Sequence, residues 1–206
     1  MGRCVIVGGA SIGDYKRIRG YLRDGDFFVF CDSGLRHTEP LGVSPSLIVG
    51  DFDSHARPDT KIETIVLPSE KDDTDTVFAV KEALRRGFSE FLIIGAIGER
   101  LDHTLGNVSI LLHIESHGKK AKIVDDYSEM EIVSSNPAFI DDSFSYFSLI
   151  TISEKAEGVT IVNAKYPLTD AVITNEYQYG VSNEVLPGKT AKVSVKKGKL
   201  LLIKVF

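Results

Sequence analysis

The chain has 206 residues, which is enough for one large domain or two small ones. Its apolar content of 43% and charged content of 26% are those of an ordinary globular protein, and a net charge of −5 argues against a nucleic-acid partner. No apolar run approaches the roughly 18 residues of a membrane helix, and a strand pattern begins at once without a signal peptide, so we expect a cytoplasmic protein with no membrane contact.

The first part of the chain alternates predicted strands with predicted helices. The strands cover residues 3–7, 27–31, 45–50, 62–67, 91–94 and 121–124, and the helices cover residues 14–22, 35–41 and 77–87, with a fourth ending near residue 117. This alternation predicts a mostly parallel, Rossmann-like sheet in a three-layer α/β domain, which we assign to residues 1–125. Asp14 is placed to cap the first helix, and we expect the fourth helix to bury Leu105, Val108, Leu111 and Leu112.

A glycine-rich turn, Gly8-Gly9-Ala10-Ser11-Ile12-Gly13, follows the first strand. It has neither a following Lys-Ser/Thr nor the spacing G-x-G-x-x-G of a phosphate loop. A tight strand-to-helix turn is the favoured interpretation, and backbone contact with a nucleotide stays open. Cys4 and Cys31 fall inside predicted strands without metal-ligand spacing, so we expect buried thiols.

After residue 125 the pattern changes to short strands separated by turn residues. The predicted strands cover residues 131–133, 147–152, 158–162, 190–195 and 200–206. This pattern predicts a small all-β sandwich or barrel, which we assign to residues 126–206 as a β-sandwich domain. The polar and aromatic stretch at residues 175–184 would suit a flat heterocycle, although a hydrated loop is the simpler interpretation.

Asp51 and Asp53 follow the third strand directly after Gly50. In an extended loop alternate side chains point the same way, so both carboxylates can face one site. Two close carboxylates repel unless a cation lies between them, and an oxygen-rich pair suits Mg²⁺. The alternative is that both aspartates are ordinary turn residues.

Further acidic residues follow other strands, and the carboxyl ends of parallel strands form one ligand-binding crevice. The residues expected to converge there are Asp32, Asp51, Asp53, Asp72, Asp73, Asp75, Arg100 and Asp102. Their convergence predicts a metal and phosphate site. Other interpretations stay open: helix capping for residues 72–75, pairing with Glu99 for Arg100, a helix cap for Asp102, and solvated positions for His103 and Asn107.

Taken together, these motifs resemble the thiamine pyrophosphokinase family. The matching pieces occur in family order: Asp32-Ser33-Gly34, Gly50-Asp51-Phe52-Asp53-Ser54, Lys71-Asp72-Asp73-Thr74-Asp75, Gly98-Glu99-Arg100-Leu101-Asp102-His103, Lys165-Tyr166-Pro167-Leu168 and Ser182-Asn183-Glu184. The resemblance implies an N-terminal domain for ATP and Mg²⁺, a C-terminal sandwich that helps to bind thiamine, and a homodimer with active sites at the subunit interface. The implied reaction transfers a diphosphoryl group from ATP to the thiamine hydroxyl and releases AMP.

The resemblance and the residue chemistry together suggest roles for individual side chains. Asp51, Asp53 and Asp75 are assigned as ligands of Mg²⁺, with Asp102 as a further candidate. The same four aspartates and Arg100 are assigned as catalytic residues. ATP is assigned to Asp32, Ser33, Gly34, Lys71, Asp72, Asp73, Thr74, Gly98 and His103. Thiamine is assigned to Tyr179, Ser182 and Asn183. Some family members place a tryptophan against thiamine, and this chain has none, so Tyr177 or Tyr179 is the substitute we consider.

Two other classes of function compete with the kinase. A metal-dependent phosphohydrolase would use Asp51 as nucleophile and Asp53 as acid. A non-catalytic regulator would bind ATP without turnover and contact a partner protein. The kinase is favoured because the acidic loops outnumber those that either alternative requires.

Overall fold

A computed structural model of the chain describes residues 2–53, 59–70, 72–98 and 100–206. The chain divides into two compact units, Met1–Asp126 and Tyr127–Phe206. Within the described ranges, no helix combines the length and the apolar character needed to cross a membrane.

The first unit contains a parallel sheet, which confirms the predicted α/β class. Its strands are β1 (Arg3–Val7), β2 (Phe27–Cys31), β3 (Leu47–Gly50), β4 (Thr64–Val66), β5 (Glu90–Ile94) and β6 (Lys120–Val124). They lie in the order β4-β3-β2-β1-β5-β6, and every pair is parallel. The helices are α1 (Tyr15–Arg19), α2 (Thr38–Leu41), α3 (Asp75–Arg85) and α4 (Leu101–Ser116), with a 3-10 helix at Asp32–His37.

The strands form where apolar residues run without alternation, as buried parallel strands require. All five residues of β1 and all four of β3 are buried. Cys4 and Cys31 are buried free thiols, as expected. Burial raises the pKa of Cys31 to about 12, so its thiol stays protonated at neutral pH.

The helix starts show which acidic residues act as caps. The Asp14 carboxylate accepts a hydrogen bond from the Arg17 N–H at 2.9 Å, which confirms the predicted cap of α1. The cap of α3 is Thr74, whose hydroxyl accepts from the Val77 N–H at 3.3 Å. The aspartates around Thr74 are therefore not needed as the α3 cap.

The apolar face predicted for α4 is partly wrong. Leu105 is 61% exposed, whereas the buried positions are Asn107, Ile110, Leu111 and Ile114. These positions follow the spacing i, i+3, i+4, i+7 of one helix face. The prediction failed because it counted only apolar side chains, and a polar residue, Asn107, opens the buried stripe.

The second unit is an antiparallel β-structure, as predicted. Its strands are β7 (Ser128–Val133), β8 (Ala138–Asp141), β9 (Tyr146–Thr151), β10 (Lys155–Val162), β11 (Leu168–Thr174), β12 (Thr190–Ser194) and β13 (Leu200–Val205). One layer has the order β7-β13-β9 and the other β11-β10-β12-β8. Both layers contribute to one core, which includes Phe147 and Leu202 from the first and Ile161 and Val193 from the second. Strands β8 and β11 were missing from the sequence prediction.

Candidate active site

A cleft opens at the carboxyl ends of the strands in the first unit. It has a volume of about 280 Å³. It is lined by the ends of β1, β2 and β5 with the loops that follow them, by the start of α3 and by the first two turns of α4. The lining residues are Gly9, Ala10, Cys31, Asp32, Ser33, Thr74, Asp75, Thr76, Gly95, Ala96, Gly98, Arg100, His103 and Asn107. This is the place where open parallel sheets bind ligands.

Three carboxylates converge beside this cleft. Asp32, Asp51 and Asp75 each offer one oxygen, these oxygens lie within 4.8 Å of one another, and all three residues are half-buried. Hard oxygen ligands in such a group suit Mg²⁺, which keeps waters and substrate phosphates as its remaining ligands. The residues present therefore fit the metal expected from the sequence.

Adjacent strands bring two of these carboxylates together. Asp32 follows β2 and Asp51 follows β3, and these strands pair in register, with Cys31 opposite Val49. A Cβ atom on Gly50 would lie only 2.8 Å from the Asp32 Cβ atom, so a residue without a side chain is needed there. Asp75 reaches the same place as the first residue of α3.

Asp53 is exposed and lies outside this group of three. The extended loop expected from the sequence does not form, because Phe52 has a left-handed backbone with φ of 54°. The Asp53 N–H instead donates to the Asp51 carboxylate at 3.3 Å, which is the geometry of an Asx turn. The turn interpretation thus describes the backbone at Asp53, while Asp51 joins the acidic cluster.

Asp102 pairs with Arg100 at the mouth of the cleft. Arg100 Nε lies 3.0 Å from Asp102 Oδ1, and Nη2 lies 2.6 Å from Oδ2. The hydrogen bonds from Arg100 hold the pKa of Asp102 well below its usual range. Both side chains are about two-thirds exposed, so the pair is open to competition from a ligand.

The residues assigned to ATP fall into separate places. Ser33, Thr74, Gly98 and His103 line the cleft with Asp32. Asp72 and Asp73 instead line a second groove beside Leu67 and Phe78, and Asp73 pairs with Lys81 at 2.6 Å. Gly34 has a packing role, because a Cβ atom there would collide with the Val7 carbonyl. Ser54, Lys71 and Glu99 lie outside the described residues.

Asn107 was missed as a cleft residue. Its place in the sequence favours a solvated side chain, but Asn107 is only 8% exposed and its Nδ2 donates to the Ala96 carbonyl at 2.7 Å. The signal was present in its helical spacing from Ile110, Leu111 and Ile114. The buried Asn107 amide thus ties α4 to the loop that follows β5.

The residues assigned to thiamine lie in the second unit. Asn183 is 4% exposed: its Oδ1 accepts from the N–H groups of Tyr166 at 3.0 Å and Glu184 at 2.9 Å, and its Nδ2 donates to the Tyr166 carbonyl. Ser182 and Tyr179 are exposed, and the Tyr179 hydroxyl donates to the Val172 carbonyl at 2.6 Å. The Asn183 amide thus joins two loops of its own unit.

A parallel sheet with a carboxylate cluster at its ligand-binding edge is typical of proteins that bind a metal ion together with phosphate groups. Comparison with known proteins narrows this class. The family model for the thiamin pyrophosphokinase catalytic domain matches residues 18–124, and the model for the vitamin B1 binding domain of the same enzymes matches residues 131–200. The chain belongs to the thiamin pyrophosphokinase family, whose members are diphosphotransferases.

Relatives of known name agree with this assignment. The chain is similar to thiamine pyrophosphokinase of Bacillus subtilis, with 28% identity over 207 residues that cover 97% of this chain and 96% of the relative. A crystal structure of the enzyme from Bacillus subtilis has a TM-score of 0.87 at 25% identity, covering 100% of this chain and 99% of the other. One from Geobacillus thermodenitrificans has a TM-score of 0.84 at 27% identity, covering 100% and 98%. The phosphohydrolase and regulator alternatives are not favoured.

Proposed function

We propose that this chain transfers the diphosphoryl group of ATP to the hydroxyl of thiamine, which gives thiamine diphosphate and AMP. The observation that carries the proposal is the match of both family models, in order, to a chain whose first unit holds a carboxylate cluster beside a cleft. An acidic site also favours the approach of thiamine, which is a cation.

Asp32, Asp51 and Asp75 would hold Mg²⁺, which when bound would supply positive charge that offsets the negative charge of the phosphates and of the leaving AMP. This set shares Asp51 and Asp75 with the sequence assignment and replaces Asp53 by Asp32. The three residues are half-buried, and one oxygen of each already lies within 4.8 Å of the others. Asp53 and Asp102 stay predictions as ligands.

Arg100 would clamp a phosphate by exchanging partners. Its guanidinium is held by Asp102, but both side chains are about two-thirds exposed, and solvent weakens an ion pair of this kind. A phosphate with a bidentate geometry would therefore compete for Arg100 at small cost. When Arg100 turns from Asp102 to the phosphate, Asp102 loses the hydrogen bonds that lower its pKa. The pKa of Asp102 would then rise, and its carboxylate would become a better acceptor for the thiamine hydroxyl proton. Asp75 is the other candidate for that role.

For the second unit, we propose that Tyr179 and Ser182 contact thiamine directly. Support comes from the match of the vitamin B1 binding domain to residues 131–200 and from the exposure of both side chains. Asn183 would act by fixing the loop that carries Ser182. The homodimer with an interface active site also stays a proposal, which light scattering at micromolar concentration would test. The cytoplasmic location also stays a prediction, which cell fractionation would test.

The function is tested by incubating the protein with ATP and Mg²⁺, with and without thiamine, and resolving AMP from ADP. AMP that forms only with thiamine is the expected result. ADP, or phosphate released without thiamine, would contradict the proposal and return the phosphohydrolase to consideration.

A further inference from the structure

The glycine-rich turn after β1 is held in place from several sides. Its residues Gly9 and Ala10 line the cleft. The Ala10 N–H donates to the Gly95 carbonyl at 2.8 Å, while the N–H groups of Gly13 and Asp14 donate to the Asp126 carboxylate at 2.7 and 2.9 Å. The turn is therefore fixed although it lacks the sequence of a known phosphate loop.

Two consecutive side chains of the 3-10 helix hold the carbonyl groups of this turn. Arg36 Nη2 donates to the Gly9 carbonyl, and His37 Nε2 lies 2.9 Å from the Ala10 carbonyl. The Gly9 and Ala10 carbonyl oxygens are thus turned toward Arg36 and His37, two side chains that are not among those lining the cleft. A carbonyl oxygen turned toward the cleft would instead repel the phosphates of a nucleotide.

The hydrogen bonds of His37 define its protonation. A carbonyl only accepts, so Nε2 must carry a proton, and Nδ1 lies 2.7 Å from the Tyr15 hydroxyl, which donates to it when the ring is neutral. His37 is 1% exposed, and its burial lowers its pKa. The neutral ring is thus held by the Tyr15 hydroxyl at Nδ1 and by the Ala10 carbonyl at Nε2, and Arg36 Nε makes a longer contact of 3.4 Å with Nε2.

We propose that His37 is a positioning residue for the nucleotide, because it fixes the Ala10 carbonyl away from the phosphates. The same 3-10 helix begins at Asp32 and ends at His37, so one short element places a carboxylate of the acidic cluster and also holds the glycine-rich turn. This inference rests on the proposed function, since it assumes that the cleft binds ATP.

The test compares two amides at position 37. In His37→Gln the amide nitrogen lies near the position of Nε2, so it can still donate a hydrogen bond to the Ala10 carbonyl. In His37→Asn the amide nitrogen lies near the position of Nδ1 and cannot reach the Ala10 carbonyl. We expect His37→Asn to raise the KM for ATP, and the Kd for Mg-ATP in calorimetry without thiamine, by about tenfold. His37→Gln should stay within about threefold of the wild type, and the KM for thiamine should not change in either variant.

His117→Asn is the matched control, because His117 is exposed at the end of α4 and outside the cleft. Equal ATP affinity in the wild type and both variants at position 37 would overturn the inference. So would an equal loss in both variants that follows their melting temperatures, since that would indicate a purely structural role.

If His37→Asn does not fold, Tyr15→Phe is the second variant, because it removes only the hydroxyl that orients the ring. It should raise the KM for ATP about threefold and leave the KM for thiamine unchanged; no change in the KM for ATP would overturn the inference. A wild-type protein that binds Mg-ATP but forms no AMP would refute the proposed function alone, and the binding comparison would still decide the role of His37.

Discussion

Replacing Asp32 by Asn tests the acidic cluster most directly, with Asp53→Asn as the matched control. Both substitutions keep the shape of the side chain and remove one negative charge, but only Asp32 belongs to the cluster with Asp51 and Asp75. At an effective dielectric constant of about 20, two unit charges 4.8 Å apart repel by about 3.5 kcal/mol. Half-burial leaves solvent to screen this repulsion, so we expect Asp32→Asn to stabilise the metal-free fold by roughly 1–2 kcal/mol.

Asp32→Asn, which should be the more stable protein without metal, should gain the least stability when Mg²⁺ is added. At a concentration 100 times its Kd, a ligand that binds only the folded state stabilises it by about 2.7 kcal/mol. The wild type and Asp53→Asn should therefore gain several degrees in melting temperature when Mg²⁺ is added, while Asp32→Asn gains little. AMP formation should fall by about 100-fold or more in Asp32→Asn and by less than about tenfold in Asp53→Asn.

The assay pairs melting curves, recorded with and without Mg²⁺, with AMP formation in the presence of thiamine. Loss of the Mg²⁺ response in Asp53→Asn and its retention in Asp32→Asn would refute the cluster and restore the metal set assigned from sequence. A normal response in both variants, and in Asp51→Asn, would show that these carboxylates do not hold the metal.

Three further predictions concern stability. Hydrogen bonds from Arg85 and Arg86 lower the pKa of Glu82 to about 2. The wild type should therefore be more stable than Glu82→Gln above about pH 4.5, and this difference should disappear as the pH falls to about 2. A difference in unfolding free energy that does not change with pH would contradict this. Lys204→Met removes the ion pair between Lys204 and the buried Glu129 and should cost about 3–5 kcal/mol in urea unfolding, whereas Lys196→Met, which removes an exposed pair, should cost less than about 1 kcal/mol. Equal costs in the two variants would contradict the difference in burial. Asn183→Ala should lower the free energy of unfolding by roughly 1–3 kcal/mol for each buried group left unpaired, and an unchanged melting temperature would show that its hydrogen bonds are dispensable.

Strands that are buried on both faces were the easiest elements to predict. In β1 and β3 every residue is buried, so the sequence shows a continuous apolar run. Strand β11 was missed because it has no such run: Thr169, Asp170 and Val172 are exposed, Asp170 has a positive φ, and its pairing with β10 contains register shifts. An irregular strand at the edge of a sheet carries little of the alternation on which prediction depends.

The acidic site shows a different limit, which is the difference between adjacency in sequence and adjacency in the sheet. The spacing of Asp51 and Asp53 suggested a metal pair, but that inference required an extended residue between them, and Phe52 is left-handed. Asp32 lies far from Asp51 in sequence, yet β2 and β3 are neighbours in the sheet, and Gly50 lets the Asp32 side chain approach. The sequence could show that both aspartates follow strands, and hence that both lie at the ligand-binding edge. It could not show which strands are neighbours, because strand order is decided by the crossover connections and by the packing of helices such as α3, which supplies Asp75. Strand order thus determines which carboxylates can share a metal ion.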